Sequence, residues 1–105
     1  MIRRALIAVI LSGCATVAPP DQISASLIPA PAGIDVAGTG QEIGFGRHID
    51  GAIAAVSSFE GAPVLDTGTT CRVVGYASGL RLYFTGNAFS AWSYDGTTAG
   101  EVCTP

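Results

Sequence analysis

His48 is the single imidazole in a chain of 105 residues, so any acid–base or nucleophilic scheme that relies on imidazole must run through it. A Ser-His-Asp set would combine His48 with Asp50 and one of the serines. No Gly-x-Ser-x-Gly elbow and no serine at a strand-turn-helix junction marks a nucleophile, and the sequence reads His48 as a lead-in residue ahead of a helix. Asp35, Glu42 and Asp50 are scattered singly, without the spacing of a paired acid and base for glycoside chemistry. Arg47 beside Glu42 or Asp50 reads as a solvated charge cluster. The remaining constellation is aromatic. Strand spacing sets Tyr76 and Tyr83 on neighbouring strands and Trp92 and Tyr94 on one face of the next, a possible binding patch of side chains that bury large area at small entropic cost. The competing reading has Trp92 filling the core against a helix with the tyrosines along its margin, because a domain this small needs every aromatic.

Cysteine supplies the other reactive groups. Arg3 and Arg4 precede a short apolar run, Ala5 to Leu11, and then Leu11-Ser12-Gly13-Cys14. The run is too short to span a bilayer as a helix and has the layout of a signal peptide. The tetrad resembles the lipobox of bacterial lipoproteins, an aliphatic residue, a small residue, Gly and Cys. The resemblance implies that residues 1–13 are a signal peptide, that cleavage falls before Cys14, and that its sulfur carries a diacylglyceryl group. With one cysteine assigned to lipid, Cys71 and Cys103 are left, and in an oxidising envelope a disulfide is their most economical reading. A metal or redox pair would call for Cys-x-x-Cys spacing or further His and Cys ligands, and neither is present. No metal and no cofactor is expected.

Loss of Arg3 and Arg4 leaves three basic residues, none of them lysine, against eight acidic ones. That balance argues against nucleic acid as a partner, since a phosphate backbone requires clustered Lys and Arg. It also argues against adsorption to anionic headgroups, so attachment to the membrane falls to acyl chains.

The stretch from Cys14 to Ala32 is rich in Ala, Ser and Pro and reads as a tether, with the globular domain at 33–105. Gly33–Val36 and Gln41–Phe45 are short alternating pieces suited to edge strands or to an ordered lead-in. Ile49, Ile53, Val56 and Phe59 make one apolar stripe on a helix from about Asp50 to Glu60, with Asp50 as N-cap, Gly61 as C-terminal stop and Pro63 beyond. Past a polar turn at Asp66–Thr69, the runs Cys71–Tyr76, Leu80–Thr85 and Ala88–Tyr94 are rich in Val, Tyr, Phe and Trp and parted by short turns. Connections that short force antiparallel neighbours. The expected fold is α+β: one short helix on a small antiparallel sheet, a three-stranded meander plus short edge strands, fastened by one disulfide.

The segments Ile43-Gly44-Phe45-Gly46-Arg47, Gly61-Ala62-Pro63, Gly79-Leu80-Arg81-Leu82-Tyr83-Phe84 and Phe89-Ser90-Ala91-Trp92 resemble small uncharacterised lipoproteins of alphaproteobacteria. Relatives of those proteins are sometimes labelled aspartate-semialdehyde dehydrogenase. That activity requires a dinucleotide domain with a glycine-rich strand-to-helix turn and a separate catalytic domain, and this chain has neither the length nor the fingerprint. A helix ending in Gly-x-Pro before a meander with a late Trp is also similar to the module of the outer-membrane assembly lipoprotein BamE and of the beta-lactamase inhibitor protein. That likeness implies a small α+β unit presenting a sheet face or loops to a protein. The expectation is therefore a non-enzymatic interaction or scaffold module, anchored by lipid and facing the periplasm. Ala15 rather than Asp after Cys14 favours the outer membrane by the sorting rule of enterobacteria. The alternative is a binder or inhibitor of a secreted enzyme or small ligand, acting through the aromatic sheet face.

Overall fold

The structure, a computed structural model, describes residues 27–104. Residues 1–13, expected to be a signal peptide, Cys14, expected to carry lipid, and the first part of the expected tether lie outside the described residues. Nine elements follow: β1 (Leu27–Ala30), β2 (Gly33–Val36), β3 (Gln41–Gly44), α1 (Ile49–Glu60), β4 (Leu65–Thr67), β5 (Cys71–Gly75), β6 (Arg81–Thr85), β7 (Ala88–Tyr94) and β8 (Thr97–Gly100). They make two antiparallel meanders, β1-β2-β3 and β4-β5-β6-β7-β8, with the helix between them in sequence. No helix among the described residues is long and apolar enough to cross a membrane.

The α+β architecture, the single helix, the antiparallel meander and the Cys71–Cys103 disulfide agree with the sequence reading. Several details differ. The stretch read as tether up to residue 32 becomes strand at Leu27, which is fully buried and pairs with Val36. Pro29, one of the residues that suggested a tether, sits in edge strand β1 opposite Ile34, where a missing donor costs no ladder bond. Gly33–Val36 and Gln41–Gly44 do not extend the larger sheet. They join β1 in a sheet of their own. Gly33 is a tight point in it: its φ is 150°, and a Cβ there would collide with the Ile43 carbonyl.

The larger sheet gains a strand at each end of the expected three. Leu65–Thr67, partly read as turn, pairs with β5, and Thr97–Gly100 pairs with β7 after an Asp95-Gly96 turn. Both turn residues have positive φ, 51° and 81°, the requirement of a two-residue hairpin whose twist matches its strands. Between β6 and β7 the register shifts, with Tyr83 opposite Ala91 but Phe84 opposite Phe89, so Ser90 is the extra residue of a bulge. The bulge lets Phe89 and Trp92, three apart in sequence, both join the core.

The helix begins one residue earlier than expected and is capped by His48, not Asp50: His48 Nδ1 accepts from the Asp50 backbone N–H at 3.2 Å. Gly61 does end it, with φ of 85° and its N–H donated to the Ser57 carbonyl. The buried stripe is Ile49, Ala52 and Val56, whereas Ile53 is half-buried and Phe59 is 40% exposed. The helix is rotated relative to the simple apolar count because it must serve two sheets. Leu27, Ile34 and Ile43 reach the shared core from the smaller sheet, and Val74, Leu82, Phe84, Phe89 and Trp92 from the larger one. Side chain and main chain knit the sheets together. Trp92 Nε1 donates to Ala30 O at 2.8 Å, Gly46 N–H donates to Phe89 O at 2.7 Å, and Phe45 packs edge-on against Phe89 with ring centroids 5.0 Å apart.

Candidate functional site

The four aromatics of the possible patch do not share an exposed surface. Tyr76 and Trp92 are buried at 3% and 5% exposure, and both belong to the core cluster. Tyr76 Oη lies 2.9 Å from Ser57 Oγ, which ties β5's end to the helix, and burial pushes the Tyr76 phenol upward despite that hydrogen bond. Tyr94 is half-buried and packs against the same core. Tyr83 alternates with Leu82 and Phe84 onto the opposite face, within 3.3 Å of Ser93 Oγ. The competing reading of Trp92 as core filler thus describes the geometry.

That opposite face is itself covered in part. Cys71, Val73 and Ala91 are buried there, and the C-terminal tail crosses it, held by the Glu101 N–H to Ser90 O bond of 2.9 Å and by the disulfide from Cys71 to Cys103. On the core-side face of the sheet, at its β4 edge, Arg72 grips Asp66 through two hydrogen bonds of 2.9 and 2.8 Å. The guanidinium holds the Asp66 carboxyl below the usual carboxylate range. Both groups are well exposed, so the pair contributes modestly.

His48 is spent on the helix cap, where Nδ1 accepts from the Asp50 backbone N–H and lies 3.9 Å from the Oδ2 of the same residue, on the exposed surface. No serine side chain bonds to it among the described residues. Among the described residues no group of three or more His, Cys, Asp or Glu is gathered to hold a metal.

A concavity that sequence reasoning missed lies between the smaller sheet and the helix. It encloses about 410 Å³ and is lined by Val36, Gln41, Glu42, Ile43, Arg47, Ala55, Ser58 and Phe59. Val36 and Ile43 of the sheet and Ala55 and Phe59 of the helix make the apolar part of its lining, and Gln41, Glu42, Arg47 and Ser58 the polar part. Gly51 and Ala55 are one turn apart on the helix, and the Arg47 side chain lies over Gly51, with Nε 3.2 Å from where a Cβ would stand. Arg47 makes no ion pair among the described residues.

The groove runs beside an open strand. Among the described residues β3 pairs with β2 on one side only. The Phe45 N–H bond to Ala32 O, 3.0 Å, sets the phase of the ladder. In an antiparallel pair, hydrogen-bonded and non-bonded positions alternate, so the Ile34–Ile43 and Val36–Gln41 pairs exchange bonds while the main chain of Glu42 faces the open edge. On the sheet face away from the core, Ile28, Asp35 and Glu42 form a row across the strands, with the two carboxylates directly opposite each other. Helix periodicity alone pointed Phe59 at the core; only its exposure, read with the open edge of β3, marks the groove.

Comparison of the chain with protein-family models, with curated proteins and with solved structures found no match.

Proposed function

We propose that this protein is a lipid-anchored component of a bacterial cell envelope, facing the periplasm, whose domain acts non-enzymatically as an interaction module. The groove between β3 and α1 is its contact site. The observation that carries the reading is the meeting of a groove of about 410 Å³, lined in part by apolar and in part by polar side chains, with a strand edge that has no partner among the described residues. The apolar part of the lining gives affinity and open main-chain groups give direction, the two requirements of a site that receives a polypeptide.

The anchor part of the proposal rests on Arg3, Arg4 and the Leu11-Ser12-Gly13-Cys14 tetrad. Fractionation of cells expressing the full chain or its Cys14→Ser variant tests it. The wild type is expected with membranes, and the variant released or left as an uncleaved precursor. Membrane-bound, processed Cys14→Ser protein would sink the anchor. Chemical crosslinking in intact cells, followed by affinity capture and mass spectrometry, tests the interaction. The expected result is one reproducible envelope protein linked through positions around the groove, and recovery of uncrosslinked chain alone would count against it.

A further inference from the structure

Two features of the smaller sheet bear on what the groove receives. The open edge of β3 presents the Glu42 main chain, so an extended segment can add there as a fourth strand and exchange hydrogen bonds with it. Side chains of an added strand would alternate, one set turned into the groove beside Ile43, Ala55 and Phe59, the other onto the outer face beside Glu42. Charge then distinguishes the occupants. Asp35 and Glu42 stand directly across from each other with no cation bonded to either among the described residues, an arrangement that like-charge repulsion opposes. A second copy of the chain adding through its own β3 would bring Glu42 against Glu42 and worsen the repulsion, the device by which natural edge strands resist self-pairing. A basic side chain opposite Glu42 would relieve it. On the groove side, Arg47 already supplies a positive charge, so a basic residue of the partner is directed outward and an apolar one inward.

We infer that the β3–α1 groove takes an extended protein segment in which apolar residues alternate with basic ones, added to β3 as a fourth strand with a basic side chain across from Glu42. The inference rests on the interaction-module reading and gives that module's partner its chemistry.

The test titrates the isotope-labelled full chain, in detergent micelles, with a blocked hexapeptide alternating valine and lysine and with its valine–glutamate counterpart. The lysine peptide is expected to bind more tightly by about tenfold, the effect of exchanging an attractive for a repulsive cross-strand pair. Amide shifts are expected to concentrate at Glu42, Gly44, Ala55 and Phe59. In Glu42→Lys the preference reverses. Glu42→Pro removes the outward-facing N–H at an edge position that tolerates proline, and weakens both peptides. Equal affinity for the two peptides, shifts elsewhere, no binding at all, or a concentration-dependent dimer that Glu42→Lys abolishes would each overturn the inference. Crosslinking in cells separates the two levels. A partner captured equally by wild type and Glu42→Pro overturns strand addition at β3 while the interaction reading stands, whereas no partner and no peptide binding defeat both.

Discussion

The two sheets of this domain solve the same problem unequally. The larger has five strands in unbroken sequence order, a continuous apolar face of Val74, Leu82, Phe84, Phe89 and Trp92, and a disulfide that closes the tail over its far side. The smaller has three strands of four residues each, contributes Leu27, Ile34 and Ile43 to the core, and leaves β3 open beside a groove. Small domains are marginal because little surface can be buried. Here the larger sheet supplies most of the packed aromatic volume and the covalent closure, which lets the smaller sheet keep an open edge, opposed carboxylates and an exposed Phe59 without loss of the fold. The difference teaches that in so small a domain the exposed apolar side chain and the unpaired strand edge fall where the stabilising contacts are thinnest, and the proposed contact surface lies there.

Disruption at the centre of the larger sheet is the harshest way to probe that division. Trp92→Ala removes a core ring and the Nε1 bond to Ala30 that ties the sheets together, and is expected to cost about 3–5 kcal/mol by denaturant unfolding. A loss below about 1 kcal/mol would mean that the larger sheet does not bear the stability assigned to it. Next comes the closure. Cys71→Ser, Cys103→Ser and the double variant are each expected to lose about 3–4 kcal/mol, because all three remove the same bridge across a 32-residue separation. Losses that add would show that the cysteines contribute separately.

Within the smaller sheet, Gly33→Ala sets a Cβ against the Ile43 carbonyl and forces an alanine to positive φ, for about 1–3 kcal/mol. Hydrogen exchange sharpens the comparison: amides of β1–β3 are expected to lose protection in this variant while those of β5–β7 keep theirs, and uniform loss would show that the sheets unfold as one unit. The smallest effect is expected for Asp66→Asn, under about 1 kcal/mol for so exposed a pair. Its sign with pH is definite. The folded pKa of Asp66 is lowered by Arg72, so the contribution is present above the unfolded carboxylate pKa and fades as pH falls through the folded value. Wild type and Asp66→Asn should therefore differ at neutral pH and converge in acid, and an equal gap at both would assign the effect elsewhere.

Much of the larger sheet was legible along the chain. Leu80, Leu82 and Phe84 alternate with Arg81, Tyr83 and Thr85, and all three apolar residues are fully buried. Short turns forced antiparallel order, and two cysteines left after the lipobox pointed to their bridge. The bulge at Ser90 was not legible, because an extra residue leaves no mark when Ala88, Ser90 and Ala91 are all small. The smaller sheet was harder to read. Prolines at 29 and 31 resemble a linker, and only the pairing of Leu27 with Val36 reveals a strand. The candidate site was the least legible part: its residues come from β2, β3 and α1, and none is unusual alone.

Sequence by itself determined the helix, the three central strands of the larger sheet with their antiparallel order, and the cysteine pair, because these depend on local periodicity, turn length and residue counts. Tertiary structure alone decided which helix face is buried, that Trp92 and Tyr76 serve the core, and that β3 has an open edge beside Phe59. Those outcomes depend on how two sheets share one helix, and burial is a property of the assembled layers that no single segment encodes.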